Sequence, residues 1–307
     1  MYCVASEMNV ITVVTPTHNR PQYLGAVVDS LTAQTDDRWE LVIVDDGSTP
    51  PAREHFPAVD HPGIVWLRND VAQGVSAARN RGAAAARGNW IVFLDDDDWL
   101  DAGFIGALHE AVHNHGDAFD VMFAERVHYY QTGGALERMD FPPIRIEKGE
   151  GDAASFSALL DVSCTGAAFR KARFESAGGF DAALPATEDR DLIFRMLESR
   201  ASCLSVTGPV FFFRVHNAPR LSTSKLSERQ IRADMQVLER FQGFLSGHPS
   251  LARRFINKAS KRIWQAGYCR EAIHYQRQLL AIDPKDIRAR RRVLVWSVLA
   301  FLRRGPG

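Results

Sequence analysis

Over the first hundred residues the apolar positions switch repeatedly between strand-like and helical periods. Val10 to Thr15 is a strand-length apolar run. Pro21 then opens a segment with Leu24, Val27, Val28 and Leu31 at helical spacing, and proline suits a first helical turn because its missing N–H has no partner there. Leu41 to Val44, Ile64 to Leu67 and Trp90 to Leu94 are short runs apolar on both faces, as expected of strands inside a parallel sheet covered by helices. Between the last two, Gly74 to Arg87 reads as an alanine-rich helix whose small side chains permit close packing on the sheet. Strand–helix alternation with acidic or glycine-bearing strand ends predicts a doubly wound α/β sheet that takes up ligands at the carboxyl ends of its strands.

The middle third is mixed. Val121 to Phe123, Arg126 to Gln131 and Leu136 to Phe141 read as strands, with Gly133-Gly134 as a hairpin turn. A sharp turn at Gly178-Gly179-Phe180-Asp181 precedes Thr187-Glu188-Asp189 and a helix through Leu192, Phe194, Met196 and Leu197. The strand Val210 to Val215 leads into His216. Beyond Lys225 the pattern is helical, and Ala266 to Pro284 resembles a single tetratricopeptide-type unit. One such unit does not make a stable array, so it is expected to dock on the body or on a second copy. The last predicted helix, Val293 to Leu302, is almost wholly apolar between two arginine clusters. It is too short to span a bilayer, but 290–304 suits either peripheral contact with anionic lipid or burial in a core or homodimer contact.

At 307 residues the chain has length for one large or two medium domains. We expect a catalytic body over 1–224 and a basic helical extension over 225–307. The net charge of zero hides the division: residues 225–307 carry 18 Lys/Arg against 6 Asp/Glu, and the remainder 19 against 31. Cys3, Cys164, Cys203 and Cys269 form no CxxC pair, which argues against a zinc site and gives no disulfide framework. Without a signal-type segment or an apolar run of roughly 18–20 residues, the cytoplasm is the expected location, with the inner face of the membrane as the peripheral alternative. Basic residues in the tail lack interleaved aromatics, so no nucleic-acid partner is expected.

The richest chemistry follows the Trp90–Leu94 run, where Asp95, Asp96, Asp97 and Asp98 stand in sequence. Adjacent like charges need water, donors or a cation, and hard divalent ions such as Mg²⁺ or Mn²⁺ take carboxylate oxygens. The plainer alternative is a solvated helix start, with Asp98 and Asp101 before Phe104 to Ala111. The G-x-G-x-x-G fingerprint of dinucleotide-binding folds is absent.

Three strand ends, Pro16-Thr17-His18-Asn19-Arg20, Asp45-Asp46-Gly47-Ser48 and Asp95 to Asp98, occur in an order and spacing similar to family 2 glycosyltransferases, inverting enzymes of the GT-A fold. The resemblance continues through Asn69, Gly74 to Asn80, Gly178 to Asp181 and Thr187-Glu188-Asp189, covering roughly residues 9–220. It implies a GT-A type doubly wound mixed sheet, with a Rossmann-like nucleotide-binding half and a C-terminal α-helical extension. It also implies transfer of a hexosyl group from a nucleoside-diphosphate sugar, a UDP-sugar first, to an acceptor hydroxyl in bacterial-type polysaccharide or glycoconjugate synthesis. The acceptor is expected to be a saccharide or lipid-linked saccharide, with a peptide or natural product as the alternative.

Carried over by position, Pro16, Thr17, Asn19, Arg20, Asp45, Asp46, Gly74, Arg79, Asp95 and Asp96 are the expected nucleotide-sugar residues. Asp97 is the principal ligand of a divalent metal, with Asp95 and His216 beside it. Asp189 is the general base, with Glu188 next in line, although acidic residues after Thr187 also suit a plain helix start capped by that threonine. Arg214 and Arg220 are candidates for phosphate contact. A sugar nucleotidyltransferase is disfavoured because Thr15 to Arg20 holds no glycine. A non-catalytic nucleotide-sugar scaffold has no need of a general base.

Overall fold

A computed structural model of the chain describes residues 10–57, 59–115, 118–184, 186–216 and 228–302. The sheet begins with four parallel strands: β1 (Ile11–Thr17), β2 (Trp39–Asp46), β3 (Ile64–Asn69) and β4 (Trp90–Phe93). In space they run β3-β2-β1-β4, with Ile11 opposite both Trp39 and Trp90. Successive side chains on these strands leave on opposite faces. Val13, Leu41, Ile43 and Val92 therefore pack with α1 (Pro21–Thr32), through Leu24, Val27 and Leu31, and with α3 (Phe104–His115). Val14, Val42 and Val44 face the other way, onto α2 (Val75–Ala85).

The alanine-rich helix lies as close as its composition predicts. A Cβ on Gly82 would stand 2.3 Å from Val14 Cγ1 and 3.1 Å from Val44 Cγ2. Both valines are buried on central strands and have nowhere to move. Gly82→Ala should therefore destabilise the fold by about 1–3 kcal/mol. Denaturant unfolding checks this, and a midpoint equal to or above that of the unaltered chain would show that α2 can lift off the sheet.

Past β4 the sheet turns mixed. The strand β5 (Trp99–Leu100) precedes α3, and then come β6 (Val121–Tyr130), β7 (Ala135–Arg138), β8 (Arg145–Glu147) and β9 (Glu150–Gly151). They are followed by α4 (Ala153–Ala158), β10 (Ala167–Arg170), α5 (Lys171–Ser176), α6 (Glu188–Glu198) and β11 (Cys203–Val215). β10 runs antiparallel to both β4 and β6, and β11 pairs parallel with β6. The two strands expected over 121–131 are one continuous strand, and the Gly133-Gly134 turn joins β6 to β7, both glycines at positive φ.

The C-terminal helices are α7 (Glu228–Arg240), α8 (Gln242–Ser246), α9 (Pro249–Gln265), α10 (Cys269–Ile282) and α11 (Ile287–Leu302). The boundary expected at 224/225 lies outside the described residues. The buried cluster that begins under the sheet at Val14 continues through Phe194 of α6 to Phe241, Phe255, Leu279 and Trp296. Phe194 meets Phe241 and Phe255 edge-on, at 5.3 and 5.5 Å between ring centroids. Among the described residues no helix is long and apolar enough to cross a membrane.

Candidate active site

Parallel pairing brings the carboxyl ends of β1, β2 and β4 to one edge of the sheet, with Thr17 opposite Asp45. The first two loops are laced together. The Asn19 N–H donates to Ser48 Oγ at 2.9 Å, the Thr49 N–H donates to Asn19 Oδ1 at 2.8 Å, and His18 Nδ1 lies 2.7 Å from the Asp46 carbonyl. Gly47 sits at φ +75°, and a Cβ there would come within 2.7 Å of the Ala72 nitrogen, so the turn admits no side chain.

Asp45 and Asp46, both expected at the nucleoside, spend their carboxylates on the scaffold. Asp45 accepts from the Ser48 and Ala52 N–H groups at 2.8 Å each and from Arg68 at 2.5 Å. Asp46 accepts from Asn69 Nδ2 at 2.7 Å and from the N–H groups of Gln73 and Gly74 at 2.9 and 2.8 Å. Each carboxylate offers roughly four acceptor positions, so Asp46 can take one further donor while it fixes the turn into α2. Gly74 opens that helix at φ +94° with open space beside it.

The four consecutive aspartates point to different partners, with Arg20 shared by the middle two. Asp95 accepts from Arg79 at 2.6 Å and from the Thr165 hydroxyl at 3.0 Å. Burial opposes its ionisation, but Arg79 overrides this and holds the carboxyl below its ordinary value. Asp96 is fully buried, accepting from Thr17 Oγ1 at 2.7 Å and Arg20 at 2.5 Å. Burial pushes its pKa up to about 7, against the pull of Arg20. Thr17 and Asp96, expected against the donor, are thus turned inward onto each other. Pro16 lies buried in the same strand end.

Asp97 carries His216 Nε2 at 2.9 Å and Arg20 at 3.4 Å. Asp98 accepts from the Arg214 N–H at 2.9 Å. Oxygens of Asp95, Asp97 and Asp98 all lie within 4.8 Å of one another. Three convergent hard oxygen donors fit a small divalent cation such as Mg²⁺ or Mn²⁺. His216 stands against Asp97 and is held flat on Tyr23, whose ring is 5.2 Å away at 10°. The Arg214 guanidinium lies over Trp99 at 4.8 Å and donates to the Asp97 carbonyl at 2.8 Å, so it braces the loop. Arg220 lies outside the described residues.

Arg79, expected to touch the donor, is only 5% exposed and sits among carboxylates. From Asp95 it reaches Glu188 at 3.2 Å and Asp189 at 3.8 Å, with its guanidinium 5.2 Å from the Phe180 ring centroid. It ties the strand-end acids to the start of α6. Burial raises the Glu188 carboxyl, and the negative Asp189 raises it further. Asp189 Oδ2 accepts from the Cys164 N–H at 3.2 Å, whereas its buried Oδ1 has no hydrogen-bond partner among the described residues. Thr187 precedes α6 at φ +65° but does not cap it with its side chain. Its hydroxyl is turned to α7, where it accepts from Gln230 at 2.6 Å and donates to the buried Asp234 at 3.4 Å.

Cys164 and Thr165 were not among the expected residues, and neither was Tyr23. The first two sit at the end of a loop with no period to read, 25 and 70 residues from the acids they hold. Arg190 keeps that loop in place by donating to the carbonyls of Val162 and Leu160 at 2.8 and 3.0 Å.

Residues 12–177 match the family described as glycosyl transferase family 2. A glycosyltransferase of Haemophilus influenzae is 26% identical over 196 residues, 61% of this chain and 62% of its own length. The Escherichia coli enzyme WfgD, a UDP-Glc:alpha-D-GlcNAc-diphosphoundecaprenol beta-1,3-glucosyltransferase, is 33% identical over 91 residues, 29% of this chain and 36% of its own. The matched segments thus cover less than two thirds of either relative. Among solved structures, S. aureus TarS 1-349 superposes with a TM-score of 0.66 at 16% identity, covering 97% of this chain and 92% of that one. The same TarS fragment has been solved with UDP and with UDP-GlcNAc. A mixed sheet with these parallel strand ends, flanked by helices and extended by a helical tail, is the GT-A fold, and the chain belongs to glycosyl transferase family 2.

Proposed function

We propose that the protein is an inverting glycosyltransferase that moves a hexosyl group from a UDP-sugar to an acceptor hydroxyl in cell-surface polysaccharide or glycoconjugate synthesis. The observation that carries this reading is Asp189. Its Oδ1 is buried, has no hydrogen-bond partner among the described residues, and lies across Arg79 from the strand-end Asp95. A buried carboxylate oxygen that accepts no hydrogen bond, with only the Arg79 guanidinium at 3.8 Å, is costly to keep and has a use when an acceptor O–H approaches it.

In the proposed reaction the acceptor oxygen attacks the anomeric carbon from the side opposite the diphosphate. The C–O bond to the nucleoside diphosphate breaks, the acceptor proton passes to Asp189 Oδ1, and the anomeric configuration inverts. Cys164 N–H and Arg79 orient Asp189 for this, and Arg79 together with Thr165 keeps Asp95 ionised at the donor side. Asp97, Asp95 and Asp98 would hold a divalent cation, which when bound neutralises charge on the leaving diphosphate. UDP is favoured as the nucleotide by WfgD, a UDP-Glc-dependent relative, and by the TarS complex with UDP.

The purified chain, screened with Mn²⁺ for slow hydrolysis of UDP-, GDP-, dTDP- and CMP-sugars, should release UDP from at least one UDP-sugar and little from the others. Release from a GDP- or CMP-sugar alone would overturn the donor assignment.

A further inference from the structure

Helix α11 is apolar on two faces and uses only one. Ala289 and Trp296 point inward, with Trp296 stacked on Trp264 of α9 at 4.7 Å between ring centroids. The opposite face runs through Arg291, Leu294, Val298 and Phe301 at spacings of three and four, with Ile287 one turn before them. Ile287 is 80% exposed, Leu294 69% and Phe301 77%.

Where this face begins, a groove opens between α9 and the α10–α11 junction. Arg253, Arg254, Lys258, Lys285 and Arg288 line it, and Ile287 forms part of its wall. Asp283 and Asp286 answer Arg253, and Asp161 answers Arg254 at 2.7 Å. Among the described residues no carboxylate forms an ion pair with Lys258, Lys285, Arg288 or Arg291. Burial, with Arg190 and Arg262 nearby, lowers the Lys258 ammonium below its ordinary value. A ligand anion in the groove would relieve that repulsion.

We propose that the outward face of α11 and this groove form one docking surface for an anionic lipid bilayer. The apolar stripe enters the acyl boundary while the groove cations meet lipid phosphates, the arrangement of an interfacial helix bordered by basic residues. Charge decides against a second copy of the chain. Residues 225–307 carry 18 basic and 6 acidic residues, and a two-fold contact would press that excess against itself.

The surface also has a placement. Arg254 donates to the Ser157 carbonyl at 2.7 Å, and Arg190 holds the carbonyls of Leu160 and Val162, so the groove adjoins the loop that ends at Cys164 and Thr165. If the proposed glycosyl transfer holds, a lipid-linked acceptor held here lies on the side of the loop that leads to Asp189. The docking itself does not depend on that reading.

Co-sedimentation of the full chain with vesicles tests it. Binding to phosphatidylglycerol–phosphatidylcholine vesicles is expected, with none to phosphatidylcholine alone and release as salt rises. Leu294→Glu and Phe301→Glu, both on the solvent-facing side, should each weaken binding by at least tenfold. Lys258→Ala combined with Arg288→Ala should weaken it by about tenfold or more. Donor hydrolysis should stay unchanged in every variant, which separates loss of docking from loss of the catalytic reading. No binding by the unaltered chain, or binding that survives Phe301→Glu, would overturn the proposal. So would a dimer in size-exclusion chromatography that Leu294→Glu dissociates, since that assigns the face to a second copy.

Discussion

Replacing Asp189 by asparagine should cut turnover by about 10²–10⁴-fold while leaving donor affinity nearly unchanged. The substitution preserves size and can still accept from the Cys164 N–H, now at 3.2 Å from Oδ2. What it removes is the basic oxygen: an amide cannot take up a proton at neutral pH. Donor affinity is spared because Asp189 faces the donor acids only through Arg79. The measurement is kcat for sugar transfer beside the dissociation constant for the nucleotide. A variant that turns over near the unaltered rate would move the base elsewhere, with Glu188, held next to the same guanidinium, the first to test.

Asp97→Ala should lower transfer on the order of 10³-fold, since neutralising a departing diphosphate is worth several kcal/mol of transition-state stabilisation. The fold should survive. Asp97 lies after β4 rather than within it, and removing one of four adjacent carboxylates relieves repulsion. A chelator added to the unaltered chain should reproduce the loss, and circular dichroism should show the variant folded. Full activity in excess chelator would dismiss a metal role for the three-carboxylate group. Asp96, by contrast, is fully buried between Thr17 and Arg20, so its loss should be felt first as lower stability.

The run Trp90 to Leu94 and its aspartates were readable because burial on both faces is written in consecutive residues, and a parallel strand must then deliver its end to the ligand edge. Gly82 and its alanine neighbours likewise announced close packing before any neighbour was known. The roles of individual acids were less accessible. Asp96 and Asp97 are adjacent in the chain, yet one turns to Thr17, 79 residues away, and the other to His216, 119 residues away. No local period encodes such a choice. Thr187 shows the same limit: a threonine before two acids suggests a side-chain cap, but Gln230, 43 residues on, takes its hydroxyl.

By itself the sequence determined the alternation of strands and helices from β1 to β4, the doubly wound half they build and the edge where the chemistry gathers. Each of these follows from short-range periodicity and from the rule that parallel strands end together. Only the tertiary structure decided that Arg79 is a buried bridge between Asp95 and α6, that Asp45 and Asp46 hold turns, and that Phe194 joins the helical tail to the sheet's core. The physical reason is that a buried charge or ring must find a partner, and the partner is supplied by whichever distant segment the fold carries to within a few ångströms.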